Sequence, residues 1–205
     1  MNVQNTAIRK GRKFDQVLQG ARVVFLAEGF DAANMDRVAK ASGVSKATLY
    51  SYFPDKESLF AVVVQRECAL QAEQALQQID QTAPPTIVLT CAARHLLGFM
   101  TSDFGQRMFR MCVINAERFP ELGLAFYNSG PMVVRARLSD YFEAAVERGD
   151  LDVSDTLLAA DQFAELCKAD IFPKLLFGVQ TEFHAIELDR VIEGAVTTFL
   201  ARYGV

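Results

Sequence analysis

The chain has 205 residues, 51% of them hydrophobic and 22% charged, a composition that excludes a disordered or fibrous polymer. That length can bury one sizeable core or two small ones. A net charge of −4 gives the chain no overall basic character, and no apolar run approaches the ~18 residues that a membrane span needs.

The first residues, MNVQNTAIRKGRK, lack the apolar core of a secretory signal, which predicts a cytoplasmic protein with no membrane partner. Arg9, Lys10, Arg12 and Lys13 read as a basic arm able to follow phosphates. A first helix is expected from about Arg9 to Glu28, with Phe14, Val17, Leu18, Ala21, Val24 and Phe25 as its inner stripe. Gly29 ends it, and Phe30 is expected to pack beneath the next two helices.

Those two helices lie in Asn34–Lys56, NMDRVAKASGVSKATLYSYFPDK. Asn34 is a capping residue, and Met35, Val38 and Ala39 give the first helix one apolar face. Gly43 closes that helix, where positive φ costs nothing. Ser45 caps the second helix, Lys46 to about Phe53, and Pro54 stops it. Val44, Leu49 and Phe53 point inward. Lys46, Ala47, Thr48, Tyr50, Ser51 and Tyr52 are left for an outer face whose ammonium, hydroxyls and methyls suit a DNA groove. A short helix, a glycine turn and a second short helix are the parts of a helix-turn-helix.

Charge distribution agrees. Residues 1–56 hold nine basic and five acidic side chains, a net of +4, while the remainder holds twelve and twenty, a net of −8. That is a basic head on an acidic body.

The string Met35-Asp36-Arg37-Val38-Ala39, Gly43-Val44-Ser45-Lys46-Ala47-Thr48-Leu49-Tyr50, Tyr52-Phe53, Lys56-Glu57-Ser58-Leu59 closely resembles the tetracycline-repressor (TetR/AcrR) family of bacterial transcriptional regulators. The likeness covers Ile8 to Val63. It implies that Lys46, Ala47, Thr48 and Tyr52 lie nearest the bases, and that Asn34, Tyr50 and Lys56 anchor phosphates.

A fourth helix is expected from Lys56 to about Ile79, followed by a linker at Thr82-Ala83-Pro84-Pro85. Helical patterning continues over Thr86–Thr101, Asp103–Glu117, Pro131–Arg148, Asp155–Phe177 and Glu182–Arg202, with Pro120 and Gly123 as breaks. The whole reads as all-α with about nine helices, divided into a DNA-binding domain over 1–56 and a ligand-binding and dimerisation domain over 57–205. Glu117-Arg118-Phe119-Pro120-Glu121-Leu122, with Phe126-Tyr127 and Gly130-Pro131, resembles the C-terminal domain of AefR-like members of the family. Asn115 stands there where an acidic residue is expected.

Phenylalanine and methionine cluster over Phe99–Met111; flexible thioethers and flat rings at this spacing suit either helical core or an adaptable apolar pocket, and it is the family resemblance that implies a pocket. His95, Phe99, Met108, Met111, Asn115, Phe126 and Phe163 are the candidate contacts for a small-molecule effector. Leu158, Phe163 and Leu166, with Ile192, Ala195 and Phe199, form two stripes assigned to a homodimer interface. The resemblance implies the same, and a pseudo-palindromic duplex requires two heads related by a two-fold.

Cys68, Cys91, Cys112 and Cys167, with His95 and His184, are too scattered for a metal site, and buried reduced thiols are expected. With no nucleophile–base pair, paired carboxylates or phosphate loop, the chain reads as a regulator without enzymatic activity and without a cofactor. The alternative is a helical ligand-binding or scaffold protein that does not read DNA, which would lack the steep salt dependence of phosphate binding.

Overall fold

A computed structural model describes residues 11–78 and 80–205, with the side chains of residues 75–78 left aside. Arg9, Lys10 and Ile79 therefore lie outside the described residues. The described chain is helical throughout, with one isolated bridge between Leu151 and Gly204. None of its helices is long and apolar enough to cross a membrane.

The elements are α1 (Arg12–Ala32), α2 (Met35–Ser42), α3 (Lys46–Tyr52), α4 (Lys56–Gln78), α5 (Pro85–Thr101), α6 (Asp103–Asn115), α7 (Pro120–Ser129), α8 (Pro131–Glu147), α9 (Thr156–Lys168), α10 (Ile171–Phe177) and α11 (Ala185–Tyr203). Two more helices are present than the sequence suggests, and proline explains both. Pro120 opens α7 rather than breaking a helix, because a first-turn residue needs no intrahelical N–H partner. Pro173 splits the helix expected over Asp155–Phe177. Its ring would meet the Ala169 carbonyl four residues back, and the chain breaks there, with Asp170 at φ 64°.

The chain forms two compact units. One comprises the residues up to Glu67 together with Arg107–Phe126; the other comprises Cys68–Gln106 and Tyr127–Val205. The first unit thus takes in the start of α4, nine of the thirteen residues of α6 and all but the end of α7.

In the first unit, α1 supplies the expected stripe, with Phe14, Val17, Leu18, Ala21, Val24 and Phe25 buried. Arg12 and Lys13 belong to the first turn of this helix rather than to an extended arm. Gly29, at φ 78° and ψ 171°, kinks α1 where its end is expected. Phe30 is buried and packs against α4. Its ring lies 5.1 Å from Phe60, 6.1 Å from Phe25 and 5.5 Å from Phe119. Ion pairs Arg22–Glu67 and Arg66–Asp15, at 2.9 and 2.7 Å, fasten α4 along α1.

In the second unit, α5, α8, α9, α10 and α11 surround one apolar core. Phe199 stacks on Phe142 at 5.0 Å and meets Phe163 edge-on at 5.3 Å. Tyr141 donates its hydroxyl to the Ala83 carbonyl at 2.9 Å, and burial pushes its pKa up. Cys167 is fully buried here, and burial pushes its thiol up to about 12. At neutral pH it is a packed apolar group, not a nucleophile.

Candidate nucleic-acid interface

The α2–turn–α3 motif is built by short-range hydrogen bonds. Asn34 Oδ1 accepts the Arg37 N–H at 2.9 Å, which makes Asn34 the N-cap of α2. Gly43 takes the left-handed conformation, φ 62° and ψ 33°, and returns its N–H to Ala39 and Lys40. Ser45 Oγ then accepts the Thr48 N–H at 3.1 Å and caps α3. Leu49 and Phe53 are buried, and Val44 is half-buried. The motif rests on α1 through a close approach at Gly20, where an added Cβ would lie 2.2 Å from Ser42 Oγ and 2.7 Å from the Ser42 backbone nitrogen. Only glycine fits there.

This support leaves one face of α3 to solvent. Lys46, Ala47, Tyr50 and Ser51 are exposed, and Thr48 is half-buried. The Lys46 ammonium pairs with Asp36 of α2 at 2.7 Å. Thr48 and Ser45 share a hydroxyl hydrogen bond of 2.9 Å. Ser51 Oγ donates to the Thr48 carbonyl at 2.7 Å. Tyr52 is turned partly inward, its ring edge-on to Phe14 at 5.7 Å. Lys56, at the start of α4, donates to the carbonyls of Phe30 and Asp31 at 2.7 and 3.3 Å, with its ammonium 4.5 Å from the centre of the Phe30 ring. It ties α4 to the end of α1.

Three features of the head carry no signal in the sequence. The Lys46–Asp36 pair spans ten residues, and the Lys56 contacts span 25 and 26. Arg118, 3.6 Å from Asp31, and Arg107, donating to the Leu26 carbonyl at 3.2 Å, join the α6–α7 segment to the end of α1. None of these spacings follows a helical period.

The candidate effector contacts fall into separate places. Met108, Met111, Asn115 and Phe126 belong to the first unit, while His95, Phe99 and Phe163 belong to the second. His95, Phe99 and Phe126 are half-buried. Asn115 is buried and donates to the Met111 carbonyl at 2.8 Å. Met108 and Phe163 have about 1% of their surface exposed, so each is core in this conformation. The dimer stripes also need correcting. Phe163, Ile192, Ala195 and Phe199 are buried within the single chain, because α9 and α11 turn these side chains toward each other, α5 and α8. Leu158, half exposed, still has surface for a partner, and Leu166 is partly buried against the core.

Comparison with known proteins decides what this motif belongs to. The model of bacterial regulatory proteins of the tetR family matches residues 17–63. The model of the C-terminal domain of AefR-like transcriptional repressors matches residues 87–205, more than half of the chain. The chain belongs to the TetR family. The HTH-type transcriptional activator FasR of Mycolicibacterium smegmatis is 29% identical over 102 residues, 50% of this chain and 47% of that protein. The HTH-type transcriptional repressor AcnR of Corynebacterium glutamicum is 34% identical over 58 residues, 28% of this chain and 31% of that protein. The chain therefore spans less than half the length of these two curated relatives.

Solved structures match over nearly the whole chain. The flavonoid-responsive regulator FrrA is 33% identical with a TM-score of 0.78, covering 95% of this chain and 98% of that one. A chain from Mesorhizobium loti, described as a TetR-family transcriptional regulator, is 27% identical with a TM-score of 0.83 over the same shares. These relatives are named as a transcriptional activator, a transcriptional repressor and a regulator.

Proposed function

We propose that this TetR-family chain is a sequence-specific DNA-binding regulator that acts as a homodimer and represses transcription at a pseudo-palindromic operator. The observation that carries the reading is the capped α2–turn–α3 motif. Its α3 is held from within by Leu49 and Phe53 and presents Lys46, Ala47, Thr48, Tyr50 and Ser51 on one open face. Lys46 and Thr48 read base edges, and Ala47 meets a thymine methyl. Asn34 and Tyr50 anchor phosphates and fix the register, with Ser51 beside them, while Tyr52, turned partly toward Phe14, is the base-proximal candidate with the least open surface. Lys56 acts at the start of α4, where free N–H groups also favour a phosphate.

A small apolar effector releases the operator. A ligand can shift the spacing of the two heads only through its differential affinity for the bound and released forms. The likeness to a flavonoid-responsive regulator favours a flat aromatic effector, with the half-buried His95 and Phe99 of the second unit as its first candidate contacts. On the dimer side, the candidate face is the exposed edge of α9 around Leu158.

Selection of bound duplexes from a random DNA pool tests this directly. The expected result is a two-fold symmetric sequence whose affinity falls steeply with salt. Folded protein, stripped of ligand by unfolding and refolding, that selects no symmetric sequence would overturn the reading in favour of a scaffold.

A further inference from the structure

Among KATLYSY, the seven residues of α3, Lys46 is the one charged side chain. Its ammonium sits 2.7 Å from a carboxylate oxygen of Asp36, in the first turn of α2. Both side chains keep more than three-fifths of their surface, 63% and 62%. The pair therefore lies on the outer face of the motif. An exposed pair of this kind stabilises a fold by only ~0–1 kcal/mol, and the motif is already held by the Asn34 and Ser45 caps and by buried Leu49 and Phe53. The pair is poorly explained as a structural element.

Its position suits a different task. Non-specific DNA binding comes almost wholly from cations neutralising phosphates. A carboxylate bonded to Lys46 cancels the charge that would drive such a contact. An ammonium has three N–H donors, and the bridge uses one. Two remain, enough for the paired acceptors O6 and N7 that guanine presents in the major groove. The bridge also fixes the direction in which those donors point.

We infer that Asp36 is a specificity-determining residue: by bridging to Lys46 it withholds the recognition helix's only cation from phosphates while leaving its donors free for a base edge. This rests on the DNA-reading function proposed above. It is selectivity gained by penalising the wrong partner rather than by strengthening the right one.

The test uses the full chain with Asp36→Asn, Lys46→Met and the double variant, each checked for an unchanged thermal transition. Asp36→Ser serves as a second neutral replacement should the Asn variant fold poorly. Binding is measured to the duplex that the wild type selects and to a shuffled duplex, across a salt series. For Asp36→Asn, affinity for the shuffled duplex should rise several-fold and affinity for the selected duplex should change little. The salt slope on shuffled DNA should steepen by roughly 0.9 per head, the value of one freed cation. In the Lys46→Met background, replacing Asp36 should do almost nothing.

Equal tightening on both duplexes overturns the inference. So does an Asp36→Asn effect that survives in the Lys46→Met background, because Asp36 would then act as a distant repulsive charge and not through Lys46. Failure of the DNA-reading function itself shows separately, as a wild type that does not distinguish selected from shuffled DNA.

Discussion

Two helix pairs, α2–α3 and α9–α11, use their apolar residues differently. The α2–α3 pair is short and sparingly apolar, so caps and a glycine turn define it, and most of α3 stays at the surface. The α9–α11 pair is long and apolar, and burial defines it. Its stripe of Phe163, Ile192, Ala195 and Phe199 is consumed inside the subunit. An apolar stripe reports that a helix packs, not what it packs against, whereas a polar face left over from a fully explained short motif is informative. The same comparison orders the substitutions that would test it.

The largest effect belongs to the body. Phe199 fills the space between Phe142 and Phe163 and lies 4.8 Å from Tyr203. Phe199→Ala should cost about 3–5 kcal/mol, as truncated core rings do, and denaturant unfolding reads it directly. A cost near zero would mean that the ring is not packed between Phe142 and Phe163.

Next comes the seat of the head. Gly20→Ala forces a methyl against the Ser42 backbone, which cannot swing aside. Overpacking of this kind costs roughly 1–3 kcal/mol, and the strain falls on the contact that orients α2 and α3. DNA affinity should fall along with the melting temperature. Smaller still is the cap. Ser45→Ala removes the acceptor for the Thr48 N–H and should cost about 1 kcal/mol. Duplex binding should weaken without any change in base preference.

Leu158→Asp separates fold from assembly. The side chain is half exposed, and its own N–H is already bonded to the cap Asp155. An acidic residue in a first helical turn is favourable. Thermal stability of the subunit should therefore stay within about 0.5 kcal/mol of the parent, while sedimentation should show loss of the dimer. An intact dimer would move the interface elsewhere on the second unit.

Legibility follows the range of the interaction. The bounds of α2 and α3 were readable because Asn34, Gly43 and Ser45 act within four residues of themselves. The break at Ala169–Asp170 was readable in principle, since Pro173 forbids a continuous helix four residues upstream, but the apolar periodicity on either side masked it. The expected effector set mixed half-buried groups with the core residues Met108 and Phe163, because a stripe of rings and thioethers looks alike in both settings. Asp36–Lys46 and Lys56–Phe30 join residues at spacings that no local rule generates.

The mildest perturbation is acid, and it acts on the start of α11. The Lys174 ammonium, then Arg190, holds the Asp170 carboxyl below its ordinary value. The His184 backbone N–H, then the Gln180 amide, does the same for Glu187. A depressed folded value means that the charged form is favoured in the native state. The stabilisation is therefore fully present above the unfolded values of about 3.9 and 4.3 and is lost as pH falls through the lower folded ones. The melting temperature should hold from neutral pH to about 5 and decline below about 4, and Asp170→Asn with Glu187→Gln should flatten that decline. Salt divides the two contributions. About 1 M salt shortens the Debye length to about 3 Å and should weaken the Asp170 share, which depends on two cations. The Glu187 share, built mainly on uncharged donors, should persist. A decline that salt abolishes entirely would place the whole effect on Asp170, and the bond from His184 to Glu187 would then be structural detail without energetic consequence.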